Sequence, residues 1–325
     1  MPTLLTTGRM HPALAARIEA SVTGRRGVAA RPALRRFVSW LRFAGIFAAA
    51  FAVYGGVKSR ERSRQAVSQL RQELLAEAGS TAAGLPVRAD DAARRLETWV
   101  TALAGGWEGD SVAHDLRGAS ALVDVLARPA VYVRGPMDAL QHHDTLVEAA
   151  RTSAKDALLL CLREPPPART EGVLLEKVRV AYASGHEVEA RTADVRRLND
   201  AFVGLPYLSP AFAERVHKAE RLDDLTKLRQ ELRRAPLERT RHALGAEVLL
   251  VVIDEPGDGS TPTELDGETK HAIRIGVVDL TRERILLRAR RTVDPGVWSA
   301  KHRPVHARGL DGCALAFDLH ASVGK

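Results

Sequence analysis

Between Phe37 and Val57 the chain runs FVSWLRFAGIFAAAFAVYGGV, 21 residues with one charge, Arg42. As a helix rising about 1.5 Å per residue it would be roughly 31 Å long, close to the hydrocarbon thickness of about 30 Å. Length and composition together predict a transmembrane helix over 37–57. Arg42 falls one to two turns inside one face, within reach of the headgroups for an extended guanidinium. Trp40 and Tyr54 stand where interfacial aromatic residues are expected. A cleaved signal peptide fits less well, because the apolar region starts 36 residues in and exceeds the usual length of about 7–15. The remaining alternative is the core helix of a soluble domain.

Charge divides the chain into unlike parts. Residues 1–57 hold eight arginines against one acid, Glu19, a balance of +7, and the other 268 residues hold 40 bases and 39 acids, a balance of +1. The high isoelectric point therefore belongs to a basic arm, residues 1–36, and the body lacks the charge of a nucleic-acid-binding domain. Arginines before a span favour the cytoplasmic side and anionic headgroups. Lys58, Arg60, Arg62 and Arg64 on the far side weaken that asymmetry. The reading is a single-pass inner-membrane protein with its arm in the cytoplasm and its body in the periplasm, a cytoplasmic body being the alternative.

Two cysteines, Cys161 and Cys313, exclude a disulfide-dense scaffold and a cysteine-rich zinc module. They are expected as two separate buried thiols, with one disulfide as the alternative in an oxidising compartment. Residues 58–86 form a helical stalk and linker, in which 62–79 places Val67, Leu70 and Leu74 on one stripe. That stripe either packs on its own domain or pairs with a second copy.

Residues 87–325 form the globular domain, with candidate lobes 87–164 and 170–325 on either side of the three prolines in REPPPART. ADDAARRLETWVTALAGG reads as a helix with Asp90 and Asp91 in its first turn. PAVYVRGP, residues 129–136, reads as a strand, followed by a helix to about 153 and a second strand, ALLLCL, over 157–162, which would make a βαβ unit. Helices are expected across 172–245 with a break at 204–210, where Ser209 and Pro210 restart the pattern. AEVLLVVIDE is an unbroken apolar run, as in a strand covered on both faces. HAIRIGVVDLTRERILLRARRTV reads as a hairpin with Ile273, Ile275 and Val277 alternating on one arm, Ile285, Leu287 and Ala289 on the other, and DLTRER as the turn. The fold class is α/β or α+β, one transmembrane helix followed by a helix-rich domain with a small mixed sheet.

The order RHALGAEVLLVVIDE, an acidic loop, then IRIGVVDLTRERILLRARR resembles the carboxy-terminal part of envelope accessory domains related to the amino-terminal domain of TolB and to CsgG-type lipoproteins. In those a helix ends at GA before a buried strand, and the hairpin turn reads D-L-x-T-G. The likeness covers about 55 of 325 residues, and Glu283 stands where the turn glycine would be. The whole plan, basic arm, one span and an Ala/Arg/Val-rich body, is similar to single-pass membrane proteins of high-GC proteobacteria such as myxobacteria. The resemblance implies an envelope location and names no chemistry.

No phosphate-binding loop, dinucleotide fingerprint, nucleophile elbow or H-E-x-x-H motif occurs. Asp254, Asp258 and Asp266 offer carboxylates, but a calcium loop begun at Asp254 would have Pro256 and Leu265 at ligand positions, so 254–268 reads as a solvated loop. His302, His306 and Cys313 are parted by Pro304, and the adjacent His142 and His143 diverge on a helix; neither group makes a site. The sequence offers no catalytic, cofactor or metal residue. Nine bases against three acids between Arg274 and Arg308 are the body's one local charge excess, and there Arg288 and Arg290 share a strand face. They are either a charged edge strand or a face for a polyanion or an acidic envelope partner. The function expected is a non-enzymatic, membrane-anchored binding or assembly module of the bacterial envelope. The alternative is an anchored hydrolase-like enzyme whose site is scattered along the chain.

Overall fold

The computed structural model describes residues 32–85, 87–118, 120–183, 187–256 and 270–324, with the side chains of 32–44, 46, 48–50, 183 and 303–307 outside the description. Asp258, Asp266 and the imidazole of His306 therefore lie outside the described residues. The chain divides between Ala66 and Val67 into two units. In the first, the backbone is helical across 37–57, within α1 (Pro32–Ala82). The described apolar side chains there are bare, Phe47 at 70%, Phe51 at 78% and Val53 at 66% exposure. Among the described residues no helix is long and apolar enough to cross a membrane, and most side chains of 37–57 lie outside them.

The second unit is a mixed sheet between two helical layers. After α2 (Ala89–Ala104) come β1 (Ser111–Val112), α3 (Ala121–Leu126), β2 (Ala130–Pro136), α4 (Met137–Leu140), α5 (His143–Thr152) and α6 (Ala157–Arg163). Next are α7 (Glu171–Ala183), α8 (Glu187–Arg191), β3 (Val195–Arg197), α9 (Leu198–Val203), α10 (Leu205–Leu208), α11 (Pro210–Lys218), α12 (Leu222–Arg234) and α13 (Leu237–Leu244). The chain closes with β4 (Val248–Asp254), β5 (His271–Asp279), β6 (Arg284–Val293) and α14 (Arg303–Val323). Strand order is β1-β6-β5-β4-β2-β3, with β2 parallel to β3 and β4 and the remaining pairs antiparallel. Strands on both sides of the triple proline thus share one sheet.

Alternation along β2 and β4 sends Tyr132, Leu250 and Val252 to one face, against α3, α6, α7 and α14. It sends Val131, Val133, Leu249 and Val251 to the other, against α2, α5 and α13. Both faces are covered, so every residue of β4 is buried and its sequence is apolar up to the terminal Asp254.

Residues 157–162 are a helix, which corrects the expected second strand of a βαβ unit. ALLLCL is buried all round in α6, wedged among the sheet, α7 and α14, and a short apolar run reads alike in either state. Asp156 begins the helix as its cap, the side chain accepting from the Leu159 N–H at 3.3 Å. The cysteines are also corrected. Cys161 of α6 and Cys313 of α14 form a disulfide across a sequence separation of 152, both fully buried.

The hairpin stands as expected, with one change of face. Val277 pairs with Leu287 but Val278 pairs with Ile285, so Leu286 is an extra residue in β6. An inserted residue exchanges faces for everything beyond it. Ile285 consequently packs with Val278 and Leu280 on the α2 side, while Leu286, Leu287 and Ala289 face the α6 side. Gly276 lets β5 approach α2 closely, because a Cβ would sit 2.6 Å from Leu103 Cδ1 and force that side chain to shift. In the turn, Asp279 Oδ1 accepts the N–H groups of Thr281 and Arg282, both at 3.0 Å, and Glu283 takes φ +52°. That is the left-handed conformation in which glycine has no penalty. Glu283→Gly should therefore raise stability by up to about 1 kcal/mol, read as a higher denaturant midpoint at unchanged slope. A lower midpoint would show that the Glu283 side chain outweighs its backbone cost.

The Leu70 and Leu74 stripe of α1 is covered within the second unit by Phe212 and Val216 of α11 and Leu225, Leu228 and Leu232 of α12. Arg71 adds a bond from Nη2 to the Ala219 carbonyl at 2.8 Å. The stripe that could have met a second copy is thus occupied by the chain itself.

Candidate functional site

The carboxyl ends of parallel strands are where open α/β sheets gather ligand-binding groups. Here β2 and β4 end in a buried charge cluster. Arg134, in β2, donates from Nη1 to Asp156 Oδ2 at 2.6 Å and forks onto Asp254, Nε to Oδ2 at 3.0 Å and Nη2 to Oδ1 at 2.8 Å. Its backbone N–H reaches Ser153 Oγ at 2.9 Å. Asp156 also takes the Tyr132 hydroxyl at 3.3 Å and lies 3.6 Å from Arg308 Nη2 of α14. His271, at the start of β5, lies 3.4 Å from Asp254. Arg134, Asp156 and Asp254 are each below 9% exposure, so these charges are held in a nearly dry interior.

Burial by itself would raise the Asp254 pKa. The Arg134 charge, the hydrogen bonds from His271 and Arg134 and the Arg308 charge together outweigh it and hold the carboxyl well below the usual carboxylate range. Asp311 of α14 shows the opposite balance. Burial pushes it up to about 6, only partly offset by the Trp298 indole N–H, which donates to Oδ1 at 2.7 Å.

The sign of the Asp311 contribution follows from linkage. Between the unfolded value near 4 and about 6 the folded state keeps a proton that the unfolded state gives up, so stability falls as pH rises through that window. Asp311→Asn keeps an acceptor for Trp298 and removes the charge. It should stabilise the protein by on the order of 2 kcal/mol above pH 6 and by little at pH 4, as read by denaturant unfolding at both values. Equal midpoints at pH 7 would contradict it.

Chemically the cluster is closed. Arg134 gives three hydrogen bonds to two carboxylates, and among the described residues no hydrogen bond joins Ser153 Oγ to a basic side chain and no group of His, Cys, Asp and Glu is arranged to hold a metal. What it does is bind the ends of β2 and β4 to α6, β5 and α14. The acidic loop that follows Glu255 lies outside the described residues from 257 to 269.

Arg288 and Arg290 do share a face, with Gly276 and Arg274 of β5 beside them. Both are matched by carboxylates. Arg288 pairs with Glu108, and Arg290 Nε meets both oxygens of Glu255 at 3.0 Å. Arg274 bonds to the same Glu255 and lies 5.5 Å from the Trp107 ring, and Arg291 pairs with Asp110. β6 is one strand in from the edge. Just before β1 begins, Asp110 Oδ1 takes the Arg290 N–H at 2.9 Å. The acids that neutralise this face come from distant segments, so local charge counting overstated its excess.

His142 and His143 form no pair, since His143 Nδ1 meets Glu97 at 2.8 Å. His302 meets Glu171 at 2.8 Å. Read from sequence, the cluster is not identified, and of its members only Asp254 is singled out, as a carboxylate of the 254–268 loop. A lone arginine in the apolar AVYVRGP and an aspartate before an apolar hexamer were the available signals. No known protein family, curated protein or solved structure matches the chain.

Proposed function

We propose that this chain is a single-pass, membrane-anchored binding or assembly module of the bacterial envelope, its arm cytoplasmic and its body periplasmic. One observation carries the compartment. The Cys161–Cys313 bond lies in the body, and such bonds persist in oxidising compartments while cytosolic thiols are kept reduced. The anchor is supported by the apolar 37–57 segment, whose described side chains Phe47, Phe51 and Val57 are exposed. Exposed aromatic and aliphatic groups on one helix are costly in water and at no disadvantage in lipid. A binding rather than catalytic role is favoured by the closed charge cluster. The hairpin's resemblance to envelope accessory domains points the same way and rests on sequence alone. The full chain should stay in the membrane pellet after high-salt and alkaline washing, and release by salt alone would reduce the arm to a basic peripheral anchor and refute the span.

A further inference from the structure

At the opposite end of the parallel strands from the charge cluster, a cleft of about 500 Å³ lies between α2, the α13–β4 junction and the β5–β6 turn. Arg95, Arg128, Glu247, Asp279, Thr281 and Arg282 line it, three bases against two acids. Both acids are already engaged. Arg128 bonds to Glu247 at 2.9 Å and to Asp279 at 3.1 Å, and Arg282 lies 3.7 Å from Asp279.

Arg95 is the exception. It forms no ion pair or hydrogen bond with any described residue, and its Nε is buried from solvent without an acceptor. That Nε is closed to the cleft as well as to water, so the rest of the guanidinium must do the binding; of the three bases here it alone has no carboxylate partner among the described residues, and an oxyanion in the cleft would supply its counter-charge. Guanidinium groups match phosphate oxygens in geometry as well as charge. The Thr281 side chain lines the same cleft and adds a hydroxyl donor. The volume exceeds that of a bare phosphate and admits a small organic body attached to one.

We propose that this cleft binds a phosphate monoester, with Arg95 as its principal cation and Thr281 and Arg282 as supporting donors. The phosphate belongs either to a free small molecule or to an anionic lipid headgroup. The test titrates the full chain in neutral-detergent micelles with glycerol 3-phosphate, against chloride at matched ionic strength. Saturable binding is expected, weakened about tenfold or more by Arg95→Gln, a change expected from losing one charge-assisted contact. Arg234→Gln, on an exposed helix end, should bind as wild type. Because Arg95 has no partner among the described residues to lose, its variant should melt as wild type in chloride. If it does not, Thr281→Val replaces it, with at least threefold weaker binding expected. Competition by phosphatidic acid doped into the micelles would assign the phosphate to a headgroup, and its absence to a soluble ligand. No saturable binding, or equal binding by wild type and the substituted cleft, would overturn the proposal.

Discussion

Arg134→Met is expected to lower folding stability by about 3–5 kcal/mol, the largest effect of any single side-chain change in this protein. The reason is what stays behind. Asp156 and Asp254, both nearly inaccessible, would lose three close contacts from one guanidinium. Breaking a buried ion pair from one side leaves an uncompensated charge in a weakly polar interior. The triple change Arg134→Met with Asp156→Asn and Asp254→Asn removes the charges together and should recover much of the loss. Denaturant unfolding of the two variants separates the cost of stranding the acids from that of losing packing. Equal destabilisation would show that the arginine acts by its stem alone. The same cluster sets an acid limit. Because the folded-state pKa of Asp254 is depressed, its contribution is present above about pH 4 and lost as pH falls below that.

Removing the disulfide should have the second-largest effect. Cys161→Ala with Cys313→Ala opens a covalent loop spanning a separation of 152 residues, and chain entropy assigns such a crosslink about 5 kcal/mol, with measured values commonly 2–4. Both sulfurs are fully buried, so two small cavities add to the loss. The double variant should show a denaturant midpoint well below wild type, and wild type unfolded with reductant present should move towards it. A wild-type midpoint indifferent to reductant would mean that the crosslink contributes nothing to stability.

The parts legible in sequence were those whose pattern is local. β4 announced burial on both faces by seven consecutive apolar or terminal positions, and α2 and the hairpin carried their periods and turn residues openly. Residues 157–162 failed for a physical reason, since a helix enclosed on all sides and a covered strand both require an unbroken apolar run. β3 is three residues, Val195–Arg197, two of them arginine, and only its neighbour β2 makes it a strand. The exchange of faces at Leu286 came from one extra residue that no composition marks.

The candidate site was harder, because its members come from five segments. Arg134, Asp156, Asp254, His271 and Arg308 meet only when the sheet and α14 close. In sequence only Arg134 stands out, in an apolar strand, while Asp156, Asp254, His271 and Arg308 each have another charged residue or histidine within two positions and look like ordinary loop or helix-end residues. The arginines of β6 illustrate the converse, a visible cluster whose charge is cancelled by Glu108, Asp110 and Glu255 from elsewhere.

The central claim, a body folded on the oxidising side of the membrane, rests on the state of two sulfurs. Whole cells producing the untagged chain can be quenched in acid, denatured and alkylated with a heavy maleimide, with and without prior reduction. The account predicts no mass added at Cys161 or Cys313 without reductant and two additions after it. Two additions without reductant, in cells whose known periplasmic disulfides remain closed, would place the body in the cytoplasm and contradict the account.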